Sequence, residues 1–169
     1  MMRWIILAIG IALGLGCSRQ SFAAEGSLPP WISVTTTPCF GVCPVYTLRV
    51  FEDGRLEYEG KRFVIQRGSR QGKMPAAALE KLKNAVADTK IAKLGEDCCN
   101  CVDRTDAPST IIELADKSGT KTIRHYQGCS SAPDAIFDFE DAVLETTGAT
   151  KWIGSEAERR KQKWNRNSP

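Results

Sequence analysis

The sequence lacks the short motifs that mark the common enzyme classes. Neither a G-x-S-x-G nucleophile elbow nor an H-E-x-x-H zinc-protease motif occurs, and a P-loop and a Rossmann G-x-G-x-x-G are also missing. Histidine, the most frequent general base, occurs once, as His125. No C-x-x-C-H haem-attachment motif is present. We therefore predict no catalytic residue, and these absences favour a protein that is not an enzyme.

No apolar run is long enough to cross a membrane as a helix. The longest, Trp4–Gly16, is short of the about 20 residues that a bilayer of roughly 30 Å requires. A positive residue before it, Arg3, and small residues around Ala23 are typical of an export signal. We predict a signal peptide over residues 1–23 and a periplasmic location. Lipid attachment at Cys17 is the alternative, and it would give a membrane-anchored lipoprotein.

A large excess of charge of one sign is also missing. The chain has 23 Lys and Arg against 20 Asp and Glu, and removal of Arg3 and Arg19 with the leader brings these numbers closer still. Electrostatic binding to nucleic acid needs a stronger basic excess, so we predict no nucleic-acid partner. Residues 156–169 are rich in Lys and Arg. We predict that they form a disordered polar tail. We expect contact with a membrane only through lipid attachment at Cys17 or through binding of this basic tail to an anionic surface.

Cysteine, by contrast, is abundant. The chain has seven cysteines, and six of them follow the predicted leader. Thiols that are exported to an oxidising compartment form disulfides unless a metal or a redox partner binds them first. The candidates for disulfide bonds are Cys39, Cys43, Cys98, Cys99, Cys101 and Cys129.

The first half of the domain shows the pattern of a hairpin followed by a helix. The strand-like segment Val45–Phe51 is followed by a turn signal at Asp53-Gly54 and by the alternating segment Leu56–Glu59. Phe63–Ile65 is a candidate third strand, and the Gly-rich segment RGSRQGK after it reads as a connection. A helix is predicted from Pro75, because apolar residues recur there at helical spacing. These residues are Leu79, Leu82 and Val86.

The second half repeats this order. Thr110–Leu114 and Thr122–Tyr126 are predicted to pair across a turn at Lys117-Ser118-Gly119. A second helix is predicted with a capping box formed by Ser131 and Asp134 and with Gly148 as its stop. Its apolar face contains Ile136, Phe139 and Val143.

Two such hairpin-helix units predict one α+β domain over residues 24–155. Short hairpin turns require antiparallel strands, and two amphipathic helices cover one face of such a sheet. We therefore expect a two-layer antiparallel sheet with both helices on one face. The cysteines lie in its connections, so we expect disulfides to staple the loops.

Three segments together resemble an uncharacterised bacterial domain-of-unknown-function family of exported proteins and lipoproteins. They are the opening TPCFGVCPVYTLRVFEDGRLEYEG, the later TDAPST and the segment RHYQGCSSAPDAI. The most specific element is the opening TPCFGxCPxY motif, which includes Cys39 and Cys43. The resemblance implies export and a single domain, and it carries over no catalytic residue.

The C-x3-C-P segment also resembles the copper chaperones that assemble respiratory oxidase centres. That resemblance implies a copper or zinc site formed by Cys39, Cys43 and His125, because thiolates and imidazole suit both metals. Pro44, however, leads into a predicted strand rather than a helix, and a Cys39–Cys43 disulfide closes a small loop in which Gly41 supplies flexibility. A disulfide is therefore preferred over the metal site.

The pairing of the other cysteines stays open in the sequence. Adjacent cysteines rarely bridge each other, so Cys98 and Cys99 are expected to have different partners, with one of them bonded to Cys129. Structural zinc held by Cys129 and His125 with two or three thiols of the cluster Cys98, Cys99 and Cys101 is an alternative. Three functions follow: a non-catalytic binding or structural module for an envelope protein or small ligand, a Cys/His metal-binding protein, and a thiol-disulfide exchange protein. The first is preferred because no reaction machinery is visible.

Overall fold

The computed structural model describes residues 29–98, 101 and 106–164. Within these ranges the chain forms six strands, four α-helices and a short 3-10 helix at Ile91–Lys93. The elements, in chain order, are β1 (Ile32–Thr36), β2 (Val45–Val50), β3 (Arg55–Arg62), β4 (Gly68–Lys73), α1 (Ala76–Thr89), β5 (Ser109–Asp116), β6 (Gly119–Tyr126), α2 (Asp134–Thr147), α3 (Thr150–Ile153) and α4 (Glu156–Trp164).

The six strands form one antiparallel sheet in the order β4-β3-β2-β1-β5-β6. β1 lies in its middle, where Val34 is opposite Leu48 of β2 and also opposite Ile112 of β5. Successive side chains of a strand point to opposite faces. All three of these apolar residues therefore lie on one face of the sheet, and β1 joins the first hairpin to the second.

That apolar face is covered by the two long helices, which pack against each other. Burial of large apolar side chains provides most of the favourable free energy of such a core. The predicted α+β class, with both helices in one layer on the sheet, is confirmed. The helical residues buried in the core are Leu82 of α1 and Ile136, Phe139 and Val143 of α2, and those of the sheet include Ile32, Val34, Leu48, Val50, Leu56, Tyr58, Ile112 and Ile123.

Both predicted hairpins are present, and their turns use glycine as expected. Gly54 has φ of 82° and Gly119 has φ of 137°, values that favour glycine over other residues. The predicted helix stop is also correct, because Gly148 ends α2 in the left-handed conformation with φ of 60°. Sequence patterns therefore locate the ends of these elements well.

The sheet has two strands that the sequence analysis does not predict. β1 was not expected, and the third strand of the first unit is β4, at Gly68–Lys73, in the segment interpreted as a connection. The predicted strand at Phe63–Ile65 is wrong. Phe63 has φ of 52°, which breaks the extended conformation, and the backbone N–H groups of Ile65 and Gln66 donate to the carbonyl groups of Ile153 and Trp152 instead.

The predicted capping box of α2 is also wrong. α2 begins after Pro133 and has no side-chain cap, and the Ser131 hydroxyl lies 3.4 Å from the Cys129 sulfur. A capping box is found instead at α4, where Ser155 N–H donates to the Glu158 carboxylate at 2.8 Å and Glu158 N–H contacts the Ser155 hydroxyl at 3.3 Å. A helix thus occupies Glu156–Trp164, inside the segment for which a disordered tail was predicted.

The predicted signal peptide and Cys17 lie outside the described residues. Among the helices that are described, none is both long enough and apolar enough to cross a bilayer.

Candidate functional site

The described disulfides lie at one end of the sheet, which we call the disulfide end. It is formed where β1 ends at Thr36, where β2 begins at Val45, and where β6 ends at Tyr126. Cys39 bonds to Cys43 in the loop between β1 and β2, and Cys101 bonds to Cys129 just after β6. Loops that a rigid sheet holds in place are where binding residues most often occur, so this end is the candidate site.

Two threonines fix the base of the loop between β1 and β2. Thr36 Oγ1 donates to the Pro44 carbonyl at 2.7 Å and accepts from Tyr46 N–H at 3.1 Å. Thr37 N–H donates to the Ser109 carbonyl at 2.9 Å, and Ser109 N–H donates back to Thr37 Oγ1 at 2.8 Å. The loop therefore leaves the sheet from a fixed base.

The Cys39–Cys43 disulfide then closes this loop over three residues, with the two Cα atoms 5.8 Å apart. This is the pairing that the sequence analysis prefers, and the separation is usual for a disulfide. We call residues 39–43 the disulfide loop. At its tip Phe40 is 92% exposed, whereas the next most exposed large apolar side chain in the described part of the chain, Phe137, is 44% exposed. The loop thus presents an aromatic ring to solvent on a short, cross-linked support.

The preferred partner of Cys129 was wrong. Cys129 bonds to Cys101 rather than to Cys98 or Cys99. The reason is that the chain before the cluster runs along the outer edge of β6, where Arg124 N–H donates to the Glu96 carbonyl at 2.7 Å and Cys98 N–H donates to the Arg124 carbonyl at 3.3 Å. Cys98 is held at the level of Arg124, before the strand ends, and it is itself disulfide-bonded. Cys99 lies outside the described residues.

His125 lies in the core rather than at the disulfide loop. It is fully buried, and its Nδ1 atom forms a hydrogen bond to Glu140 Oε1 of α2 at 2.8 Å. Its ring lies perpendicular to the ring of Phe137, with the ring centres 4.9 Å apart. The histidine is therefore held by a side-chain partner in the interior of the domain.

The structure does not assemble the copper or zinc site formed by Cys39, Cys43 and His125. The two sulfurs are bonded to each other, and the histidine is bonded to Glu140. Over residues 29–98, 101 and 106–164, no three His, Cys, Asp or Glu side chains lie close enough together to hold a metal ion.

A cleft of about 540 Å³ lies beside the disulfide loop. It is lined by the disulfide loop with Pro44, by Pro108 and Gln127, and by the first turns of α4. We call it the loop cleft. The residues that α4 contributes are Glu156, Arg159 and Arg160.

The two arginines of the loop cleft differ in their partners. Arg160 Nε donates to Glu156 Oε1 at 2.8 Å, so its charge is paired on the helix surface. Arg159 Nη1 donates to the Gly154 carbonyl, and Arg159 Nε is buried without a hydrogen-bond partner among the described residues. The sequence analysis missed both residues because it assigned them to the tail, although the Ser155-x-x-Glu158 capping box was a signal for a helix there.

A buried tyrosine lies close to this cleft on the core side. Tyr46 of β2 is 5% exposed, and burial raises the pKa of its phenol far above the usual value of 10.0. The Glu140 carboxylate raises this pKa further, and the Arg159 guanidinium lowers it. Burial also raises the pKa of Tyr58, to about 12. Both phenols are therefore held in the neutral form by the fold.

These shifts predict a loss of stability at alkaline pH. Because the folded-state pKa of each phenol lies above the unfolded value, the folded state keeps a proton that the unfolded state loses once pH exceeds about 10. Stability should be unaffected by these groups below that pH and fall above it, by up to about 1.4 kcal/mol per pH unit for each tyrosine. Denaturant unfolding between about pH 9 and pH 11 measures this slope.

Tyr46→Phe and Tyr58→Phe should each make that alkaline loss shallower, because each removes one ionising group from the balance. Slopes that are identical in the wild type and in both variants would contradict the buried environment of the two phenols.

The chain matches a known protein family. A model of the family described as a domain of unknown function, DUF6438, matches residues 30–147. A comparison with curated proteins found no match. The matched region contains the whole sheet, α1, α2 and the disulfide loop, whereas Arg159 and the rest of α4 follow it. Because the match covers more than half of the sequence, the chain belongs to the DUF6438 family of domains of unknown function.

Proposed function

We propose that this protein is an exported cell-envelope protein, cross-linked by disulfides, that binds a partner through the disulfide loop and catalyses no reaction. One observation carries the proposal: the Phe40 ring is almost fully exposed on a loop whose base and tip are both fixed. A large apolar side chain in that position is unfavourable for the isolated protein, because its surface stays in contact with water.

The same features favour binding. Aromatic side chains are enriched among the residues that dominate binding free energies. A cross-linked loop loses little conformational entropy when it binds, so more of the contact free energy appears as affinity. The threonine contacts at the base and the Cys39–Cys43 bond together provide this rigidity.

Export is supported by the disulfides and by the leader pattern. Disulfides persist in oxidising compartments such as the periplasm and are rare in the cytosol. Cys39–Cys43 and Cys101–Cys129 are both bonded, and Cys98 is bonded as well. Together with the signal-like residues 1–23, these bonds favour a periplasmic protein, and lipid attachment at Cys17 stays the alternative route to the same compartment.

Site-specific photocrosslinking in the living bacterium tests the proposal. A photoreactive phenylalanine analogue replaces Phe40 in the full chain with its natural leader, and a matched protein carries it at Lys117, in the turn at the opposite end of the sheet. We expect discrete adducts from position 40, recovered from the envelope fraction, and none from position 117.

The loop geometry has its own control. With the analogue at position 40, Cys39→Ala and Cys43→Ala should remove most of the adducts, because the open loop no longer holds the ring in place. The proposal is wrong if position 40 gives no adduct, if position 117 gives the same adducts, or if the adducts form in the cytoplasm.

A further inference from the structure

The loop cleft has the chemistry of a carboxylate-binding site. We propose that it binds a peptide segment that carries a carboxylate beside an apolar side chain, and that Arg159 holds the carboxylate. This inference rests on the proposed binding function, and it identifies the chemical class of the partner.

The first argument is the hydrogen bonding of Arg159. Its Nη1 atom is occupied by the Gly154 carbonyl, whereas its Nε–H is buried and has no partner. The Nε and Nη2 hydrogens lie along one edge of the planar guanidinium, and their spacing matches the two oxygens of a carboxylate. A buried donor without an acceptor is unfavourable, so the described part of the chain leaves this edge of the guanidinium unsatisfied.

The second argument is that the backbone, and not a counter-ion, holds this guanidinium. Gly154 has φ of 82° at the end of α3, a conformation that favours glycine, and its carbonyl accepts from Arg159. The capping box of Ser155 and Glu158 fixes the start of α4 one turn before the arginine. In the described part of the chain no carboxylate forms an ion pair with Arg159. The guanidinium is therefore oriented in advance and keeps its charge for a ligand.

The third argument is the charge of the cleft lining. The lining has two positive charges, at Arg159 and Arg160, against the one negative charge of Glu156, whose pKa both arginines lower, so one net positive charge remains. A single charge fits a monoanion better than the doubly charged phosphate of a monoester, and it therefore favours a carboxylate.

Much of the loop cleft lining is apolar. A cleft of about 540 Å³ with a lining of this kind accommodates about one or two residues of a peptide rather than a bare anion. The apolar residues that line it are Phe40, Val42, Pro44 and Pro108.

NMR titration of the full mature protein with N-acetyl-leucine tests this site. The probe has one carboxylate beside one apolar side chain, and N-acetyl-leucinamide has the same shape without the charge. We expect the acid to bind with a dissociation constant of about 1 mM, the order usual for so small a ligand. It should shift the Arg159 Nε–H signal and the amide signals of Phe40 and Val42, and the amide should bind at least about tenfold more weakly.

Two neighbouring substitutions separate the roles of the arginines. Arg159→Gln should abolish the preference for the acid over the amide. Arg160→Gln should preserve it, because Arg160 is already paired with Glu156. The amide NMR spectrum of each variant shows whether the fold is intact. If Arg159→Gln does not fold, Arg159→Lys provides a second test. The lysine ammonium carries the charge without the planar donor pair of a guanidinium, so this variant should bind N-acetyl-leucine more weakly than the wild type does.

The inference is overturned if acid and amide bind equally, if Arg159→Gln binds like the wild type, or if inorganic phosphate competes as well as the acid does. These failures are distinct from failure of the proposed function. Envelope adducts at position 40 with no response to N-acetyl-leucine would refute only the carboxylate site.

Discussion

Replacing Cys101 and Cys129 with alanine should lower the free energy of unfolding by about 3.5 kcal/mol. The bond joins residues that are 28 positions apart, so it restricts a long loop of the unfolded chain. The matched change at Cys39 and Cys43, only 4 positions apart, should lower it by about 2 kcal/mol. Denaturant unfolding of the two double variants under non-reducing conditions gives both values.

The Cys101–Cys129 bond should also protect one edge of the sheet. The segment before the cysteine cluster covers the outer edge of β6, where Glu96 accepts from Arg124 N–H and Arg124 accepts from Cys98 N–H. Without the bond this segment is tethered less firmly, and the Arg124 amide should exchange its hydrogen faster.

Amides in the centre of the sheet provide the control for that exchange measurement. Val34 in β1 is paired on both sides, so its amide should respond only to the change in global stability. If both double variants lose the same stability, or if Arg124 exchange is unchanged, the bond does not have this role.

The two described disulfides show how much of the candidate site was predictable from the sequence. A C-x3-C segment before a strand was sufficient to predict the Cys39–Cys43 bond, because the geometry involved is local. The Cys101–Cys129 bond was not predictable, since it depends on where the chain around Glu96 meets β6. Connectivity between distant cysteines is a property of the fold and not of their spacing.

The missed elements of the fold have a similar physical explanation. β1 is joined to its neighbour β2 by the long segment 37–44 rather than by a tight turn, and its pairing of Val34 with Ile112 joins residues far apart in the chain. β4 has the composition of a connection, with Gly68 and Gly72, and it forms a strand because β3 provides a complete edge for it to pair with. In both cases tertiary contacts outweigh the local preference.

Arg159 was missed for a different reason. The sequence analysis weighed the charge of residues 156–169 and predicted a solvated tail, whereas the signal that decides the structure is the capping box of Ser155 and Glu158. Its position beside the disulfide loop could not be derived from either pattern, because it depends on tertiary contacts such as those of α3, where the Trp152 carbonyl accepts from Gln66 N–H.

Gly60→Ala should destabilise the fold by about 3 kcal/mol, within the range for overpacking of a tight site and loss of buried hydrogen bonds. A Cβ atom at Gly60 would overlap the carbonyl oxygen of Gln66, and it would lie only 2.8 Å from the Tyr58 hydroxyl and 2.9 Å from Val64 Cγ2. The Gln66 carbonyl is part of the backbone, so it cannot rotate away as a flexible side chain could.

The contacts that must move explain why the effect should be large. Tyr58 donates to the Gln66 carbonyl at 3.2 Å, and Gln66 N–H donates to the Trp152 carbonyl at 2.9 Å. Ile65 N–H makes the parallel bond to Ile153 at 3.2 Å. Displacing this segment therefore weakens the attachment of α3 to the sheet.

Gly95→Ala is the matched control, because the nearest atom to a Cβ there is the Asp97 carbonyl oxygen at an ordinary 3.6 Å. Its free energy of unfolding should stay within about 0.5 kcal/mol of the wild type. Urea unfolding measures both variants, and equal stabilities would mean that the segment at Gln66 yields without loss. Since α3 leads directly into α4, Gly60→Ala should also shift the NMR signals of Arg159, whereas Gly95→Ala should leave them in place.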